Sequence, residues 1–179
     1  LHLADPSLRL WLDWVELAGE NNPTVDLLAP VLGPGRFVGV DRDAGCVDRN
    51  TARGLPHATW VHGQLQTLLA NRPALFARAG VLNYDSFAGW NGDSILVETA
   101  PLVRFARQQL DRVGEFVLIV NAAMVRNVPR HVAEARARRV FAPLLAPFGR
   151  DLEPADLFYY RADGDRNDML NVRVQVGFQ

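Results

Sequence analysis

Arg36-Phe37-Val38-Gly39-Val40-Asp41-Arg42-Asp43 decides how the rest of the chain is read. Apolar residues run without alternation from Phe37 to Val40 and stop at Asp41, as in a strand buried on both faces of a parallel sheet, and Gly33-Pro34-Gly35 ahead of them is turn chemistry. Residues 44–53 have helical character, so the stretch reads as a strand that carries a carboxylate to the start of a crossover helix. In open α/β sheets ligands sit beyond the carboxyl ends of the strands, and an acid ending the second strand takes the ribose hydroxyls of a nucleotide-derived cofactor. Asp41 is the first candidate for that role. The competing account has Asp41 only capping the helix that starts near Ala44.

A chain of 179 residues, 49% of them hydrophobic, suits one domain with a substantial core and is too short for two ordinary ones. The formal net charge of -1 gives no general electrostatic reason to expect a nucleic-acid or membrane partner and leaves only a local patch open. All 19 basic residues are Arg, a bias that reads as genomic base composition more than function. The single cysteine, Cys46, forms no internal disulfide, argues against a Cys-based zinc site and points to a reducing, cytoplasmic setting. No apolar run approaches the roughly 20 residues of a membrane span, and no signal peptide is expected. The chain starts at Leu1 and not Met, which leaves room for an upstream segment. His57, His62 and His131 are too scattered for a metal site.

Asp5-Pro6 is a good helix start, and Leu8, Trp11, Leu12 and Val15 follow at helical spacing, so a helix over 6–18 is the preferred local reading. The competing reading places a strand at Trp14-Val15-Glu16-Leu17, followed by a turn at 18–22 and a helix from Pro23. A short helix over 23–32 has Asn22 as its cap. A β-rich segment at 58–61 ends at His62-Gly63-Gln64, and residues 65–79 read as helix despite Pro73. Val81-Leu82-Asn83-Tyr84-Asp85 is a second buried-type strand that runs out into polar groups before the Gly89 to Gly92 loop. A helix over 94–113 ends at Gly114, and residues 115–120 are the clearest strand. Residues 129–145 form a helix with Arg136, Arg138 and Arg139 exposed. Residues 157–160 and 170–176 pair as an antiparallel hairpin through the Asp163-Gly164-Asp165-Arg166-Asn167 turn. The expected fold is therefore α/β: a Rossmann-like, mostly parallel sheet flanked by helices, with a C-terminal antiparallel hairpin strand.

The order of these elements resembles the class I S-adenosylmethionine-dependent methyltransferases, over about 36–178. The local matches are Gly39-Val40-Asp41-Arg42-Asp43 for the second-strand acid, His62-Gly63-Gln64 for the end of the third strand, and Asn83-Tyr84-Asp85 for the fourth-strand motif. The resemblance implies S-adenosylmethionine as cofactor, with Asp41 at the ribose, Gln64 at the adenine edge, Arg42 and Gly63 beside them among the cofactor-binding residues, and Asn83, Tyr84 and Asp85 facing the substrate. The family's acid and three spaced glycines would fall on Glu16-Leu17-Ala18-Gly19-Glu20-Asn21-Asn22, where Glu16 and Gly19 alone survive. With so few small residues the backbone cannot approach the cofactor in the usual way. The paired prolines of the adenine and cytosine amino-methyltransferases are also missing after Asn83.

Two functions follow. One is methyl transfer, in which Asp41 holds the ribose, Gln64 the adenine edge, and Asp85 or Tyr84 orients a nucleophile; alignment is the main requirement. The other is a non-catalytic domain that keeps the fold for interaction with a partner. A nicotinamide oxidoreductase lacks its G-x-G-x-x-G ahead of Asp41. The arginines from Arg126 to Arg139 read as a solvated helix face. The methyl acceptor and the oligomeric state are left open.

Overall fold

The computed structural model describes residues 12–177, apart from 21, 91, 125–127 and 162–167. Seven strands form one sheet: β1 (Asp13–Leu17), β2 (Phe37–Asp41), β3 (Ala58–His62), β4 (Ala79–Ser86), β5 (Glu115–Met124), β6 (Leu157–Tyr160) and β7 (Asp168–Gly177). Their spatial order is β3-β2-β1-β4-β5-β7-β6. The first five are parallel to one another, and β7 runs antiparallel to both β5 and β6. This is the Rossmann-like sheet expected from the sequence, with its reversed C-terminal strand. The loop holding the expected Asp163-Gly164 turn and the Arg126 position lie outside the described residues.

Among the described residues five helices connect the strands: α1 (Pro23–Leu28), α2 (Ala44–Ala52), α3 (Leu65–Asn71), α4 (Ser94–Val113) and α5 (Arg130–Leu145). The larger core cluster joins α3, α4 and α5 to one sheet face through Leu68, Leu102, Phe105, Phe141, Leu118 and Val174. On the other face Trp14, Phe37, Val81 and Val117 pack with Val25 and Leu28 of α1. Right-handed crossovers produce this division, because β1 leads to β2 in one direction along the sheet and β4 leads to β5 in the other. The reversal of direction falls between β1 and β4, where such sheets open a crevice.

The structure corrects the preferred reading of residues 6–18. The described part of that segment contains β1, not helix, since Trp14 to Leu17 pair with β2 and Trp14 to Glu16 with β4. Two ladders in the middle of a sheet outweigh a helical period supported by local caps. The expected helix over 65–79 is also divided. α3 stops at Asn71, a 3-10 turn follows at Pro73–Phe76, and Ala79 already belongs to β4. Pro73 has no N–H to continue the helix. The helix expected over 23–32 closes early, at Leu28.

Candidate functional site

Asp41 closes β2, and one of its carboxylate oxygens accepts the Asp43 N–H at 2.8 Å. Asp43 caps α2 by accepting from the Gly45 N–H at 2.8 Å. Capping is therefore the task of Asp43, while Asp41 remains partly exposed at the sheet edge. Gly39 makes room on the same strand, since a Cβ there would lie 2.3 Å from the Trp60 ring. Directly across the ladder Asp41 faces His62, and the Gly63 N–H donates to the Asp41 carbonyl at 2.7 Å. Gly63 sits at φ 148°, a conformation that turns the chain from β3 into α3, with Gln64 exposed at the helix start. Asp41, Arg42, Gly63 and Gln64 thus share the carboxyl edge of two adjacent strands. The Arg42 guanidinium stacks 5.3 Å from the centre of the Phe87 ring, which joins the end of β2 to the end of β4 past the end of β1.

Glu16 is buried near the end of β1. Its carboxylate accepts from the Trp14 indole at 2.8 Å, from Asn22 at 3.1 Å and from Asn83 at 3.0 Å. Asn22 in turn caps α1 by accepting from the Thr24 N–H. The intervening loop is fastened to α2 as well. The Ala18 carbonyl accepts from Cys46 at 3.4 Å and that of Gly19 from Asn50 at 3.3 Å. Burial, together with Asp41 beside it, pushes the Cys46 thiol up to about 11, so it stays a protonated donor. Above Gly19 the space is open: a Cβ there would meet nothing within 4 Å apart from its neighbours in the chain.

From Glu16 a line of amides crosses the sheet. Asn83 on β4 donates to Glu16 and accepts from Asn121 of β5 at 3.1 Å, and Asn121 accepts from Asn171 of β7. A buried carboxylate can only accept, so it fixes each amide in turn with its nitrogen toward β1. Asp85 stands opposite Asn121 in the ladder. Desolvation lifts its carboxyl above the usual carboxylate range, and a hydrogen bond from Asn121 opposes this. The residue itself keeps an exposed surface at the strand end.

Tyr84 points to the opposite face from Asn83 and Asp85 and is buried. Its hydroxyl donates to Glu98 of α4 at 2.5 Å and accepts from Gln66 of α3 at 2.5 Å. Burial first, then the Glu98 carboxylate, hold its ionisation well above the ordinary tyrosine range. The three consecutive residues therefore divide: Asn83 and Asp85 share a face with Glu16 and Asn121, and Tyr84 braces two helices. Glu98, Gln66, Asn121 and Asn171 were not singled out from the sequence. The signal available was an Asn inside the apolar run Val120-Asn121-Ala122, too little to identify its partners. Of the three α5 arginines expected to be exposed, Arg136 donates to the Trp90 carbonyl and Arg138 to that of Leu152, and both are half-buried, while Arg139 is exposed.

No protein-family model matches the chain, and no curated protein sequence does either. Solved structures match in fold. Fibrillarin from Aeropyrum pernix, solved with natively bound S-adenosyl-L-methionine, superposes with a TM-score of 0.60 at 16% identity, covering 90% of this chain and 66% of its own. An antibiotic-related methyltransferase gives 0.58 at 10% identity, covering 92% and 88%. An aminoglycoside-resistance methyltransferase gives 0.53 at 16% identity, covering 90% and 86%. The chain thus has the class I methyltransferase-like fold. No helix among the described residues is long and apolar enough to cross a membrane.

Proposed function

We propose that this chain binds S-adenosylmethionine at the carboxyl edge of β1, β2 and β3 and transfers its methyl group to an acceptor presented at the ends of β4 and β5. The observation that supports this best is Asp41: an acid at the end of the second strand, partly exposed and not consumed in capping, on a sheet whose order is that of the methyltransferase-like fold. The residues present fit such a group. Asp41 would accept from ribose hydroxyls, the exposed Gln64 would accept from an adenine amino group, and the open space above Gly19 would admit the backbone side of the ligand. When bound, the cofactor supplies an electrophilic methyl on sulfur. The protein's own work is alignment. Asp85, partly desolvated and held by Asn121, is suited to accept a proton from the methyl acceptor or to orient it. Asn83 and Asn121 position that carboxylate, Glu16 fixes the amides and the loop at Gly19, and Tyr84 keeps β4 in register with α3 and α4.

The loop after β1 supports a second reading, a non-catalytic domain. It holds a single described glycine, and the Ala18 and Gly19 carbonyls and the Glu16 carboxylate are already bonded to protein groups. Equilibrium dialysis against methyl-labelled S-adenosylmethionine separates the two. Saturable 1:1 binding displaced by S-adenosylhomocysteine is the expected result. Absence of binding at millimolar ligand would remove the methyl-transfer reading.

A further inference from the structure

The sheet is covered unevenly. Along β7 the burial alternates strictly: Leu170, Val172, Val174 and Val176 are buried against the α5 side, and Met169, Asn171, Arg173 and Gln175 face the other way. On β6, Phe158 lies across from Asn171 and Tyr160 across from Met169, so both rings share that second face. They are 50% and 44% exposed, which is far more than strand aromatics need to be. Beside Phe158 is a groove of about 670 Å³, walled by Phe148, Arg150, Phe158, Arg173 and Gln175. Phe148 is also 50% exposed.

The groove carries two guanidinium groups, those of Arg150 and Arg173, and one carboxylate, that of Asp156. Arg173 is half-buried, and among the described residues its side chain has no hydrogen bond, ion pair or ring contact. Arg150 is held at the wall by its bond to the Gln175 carbonyl at 2.9 Å. Asp156, the acid lining the groove, is turned into a local capping box, where it accepts the Glu153 N–H at 2.8 Å. A guanidinium half-withdrawn from water, with no partner among the described residues, is suited to receive an anion.

We infer that this open β6–β7 face, with the stacking surfaces of Phe148, Phe158 and Tyr160 and the guanidinium groups of Arg150 and Arg173, binds a single-stranded nucleic acid. The reasoning is one of repeat. One ring and one cation would suit a small aromatic anion, whereas Phe158 and Tyr160 stand two residues apart on one strand, roughly 7 Å, with a third ring beyond. A single strand repeats a flat base and a phosphate at a comparable spacing, and it binds through aromatic platforms flanked by basic groups. The face is also continuous with the polar edge. Asn171, beside Phe158, is the far end of the amide line that reaches Asn83 and Glu16. A strand lying along it is led toward Asp85. The inference rests on the methyl-transfer reading for that direction, and it names the substrate class.

The test is fluorescence anisotropy with labelled single-stranded oligouridylate and oligothymidylate of about 12 nucleotides at low salt, without cofactor, so that failure to bind S-adenosylmethionine does not affect it. The expected result is saturable binding that weakens with salt. It should weaken at least fivefold in each of Phe158→Ala and Arg173→Gln, with a smaller salt dependence in the latter, and stay unchanged in Arg107→Gln on the exposed surface of α4. Circular dichroism melts confirm that the variants are folded, and Phe158→Tyr should retain binding. Absence of binding, equal affinity in all the variants, or competition by AMP as effective as by oligonucleotide at equal nucleotide concentration would overturn the inference.

Discussion

Glu16 accepts from three donors in a buried setting, so both of its oxygens are needed as acceptors. Glu16→Gln puts an NH2 group where only acceptors fit, and the side chain then repels one of Trp14, Asn22 and Asn83. A loss of about 1–3 kcal/mol is expected in urea unfolding, since a buried donor is left unsatisfied. Asp85 makes the opposite case. Its carboxyl is raised by desolvation, so the folded state binds this proton more tightly than the unfolded chain and ionisation above that range works against folding. Asp85→Asn should therefore fold at neutral pH with stability equal to or above the parent, while abolishing methyl transfer measured with labelled cofactor. Retained transfer together with a lower melting temperature would make Asp85 a structural residue.

Pairing between elements sets two further expectations. The Trp60 ring of β3 fills the space left by Gly39 of β2, so Gly39→Ala forces a contact of 2.3 Å to relax and should cost about 1–3 kcal/mol, seen as a lowered midpoint in denaturant. Tyr159 ties β6 to α5 through Glu134, with Arg130 over its ring. Burial and Glu134 push its phenol up to about 12 from an ordinary value of 10, with Arg130 opposing, and Tyr84 shifts in the same direction. The folded state thus holds these protons longer than the unfolded chain. Stability is complete below pH 10 and falls as the pH rises toward 12. Urea titrations across this window should show a shallower fall in Tyr159→Phe; an unchanged slope would count against the assignment. These elements also mark the limits of what the sequence discloses. The strands β2, β4, β5 and β7 were legible because short apolar runs bounded by turn residues, or strict alternation, favour strand over helix. β1 was not, because five residues carrying Trp14 and Glu16 become a strand only through ladders to β2 and β4. The edge acids were legible as strand ends. The partners of Tyr84 lie 14 and 18 residues away on two helices, a distance at which no spacing rule operates.

At the scale of the whole molecule, the reversal of strand order beside β1 gathers groups from distant parts of the chain at one edge: Asp41 and Gln64 on one side, Asn83, Asp85 and Asn121 on the other. In sheets of this order ligands sit beyond the carboxyl ends of the strands, and that general rule is what the proposed site draws on. Calorimetric titration of S-adenosylmethionine into the wild-type chain and Asp41→Ala is the most direct test. The account predicts one site in the wild type and an affinity lower by about 1.5–3 kcal/mol in the variant, the scale of a hydrogen bond to a charged group. No heat of binding in the wild type, or equal affinities in the two proteins, would contradict it.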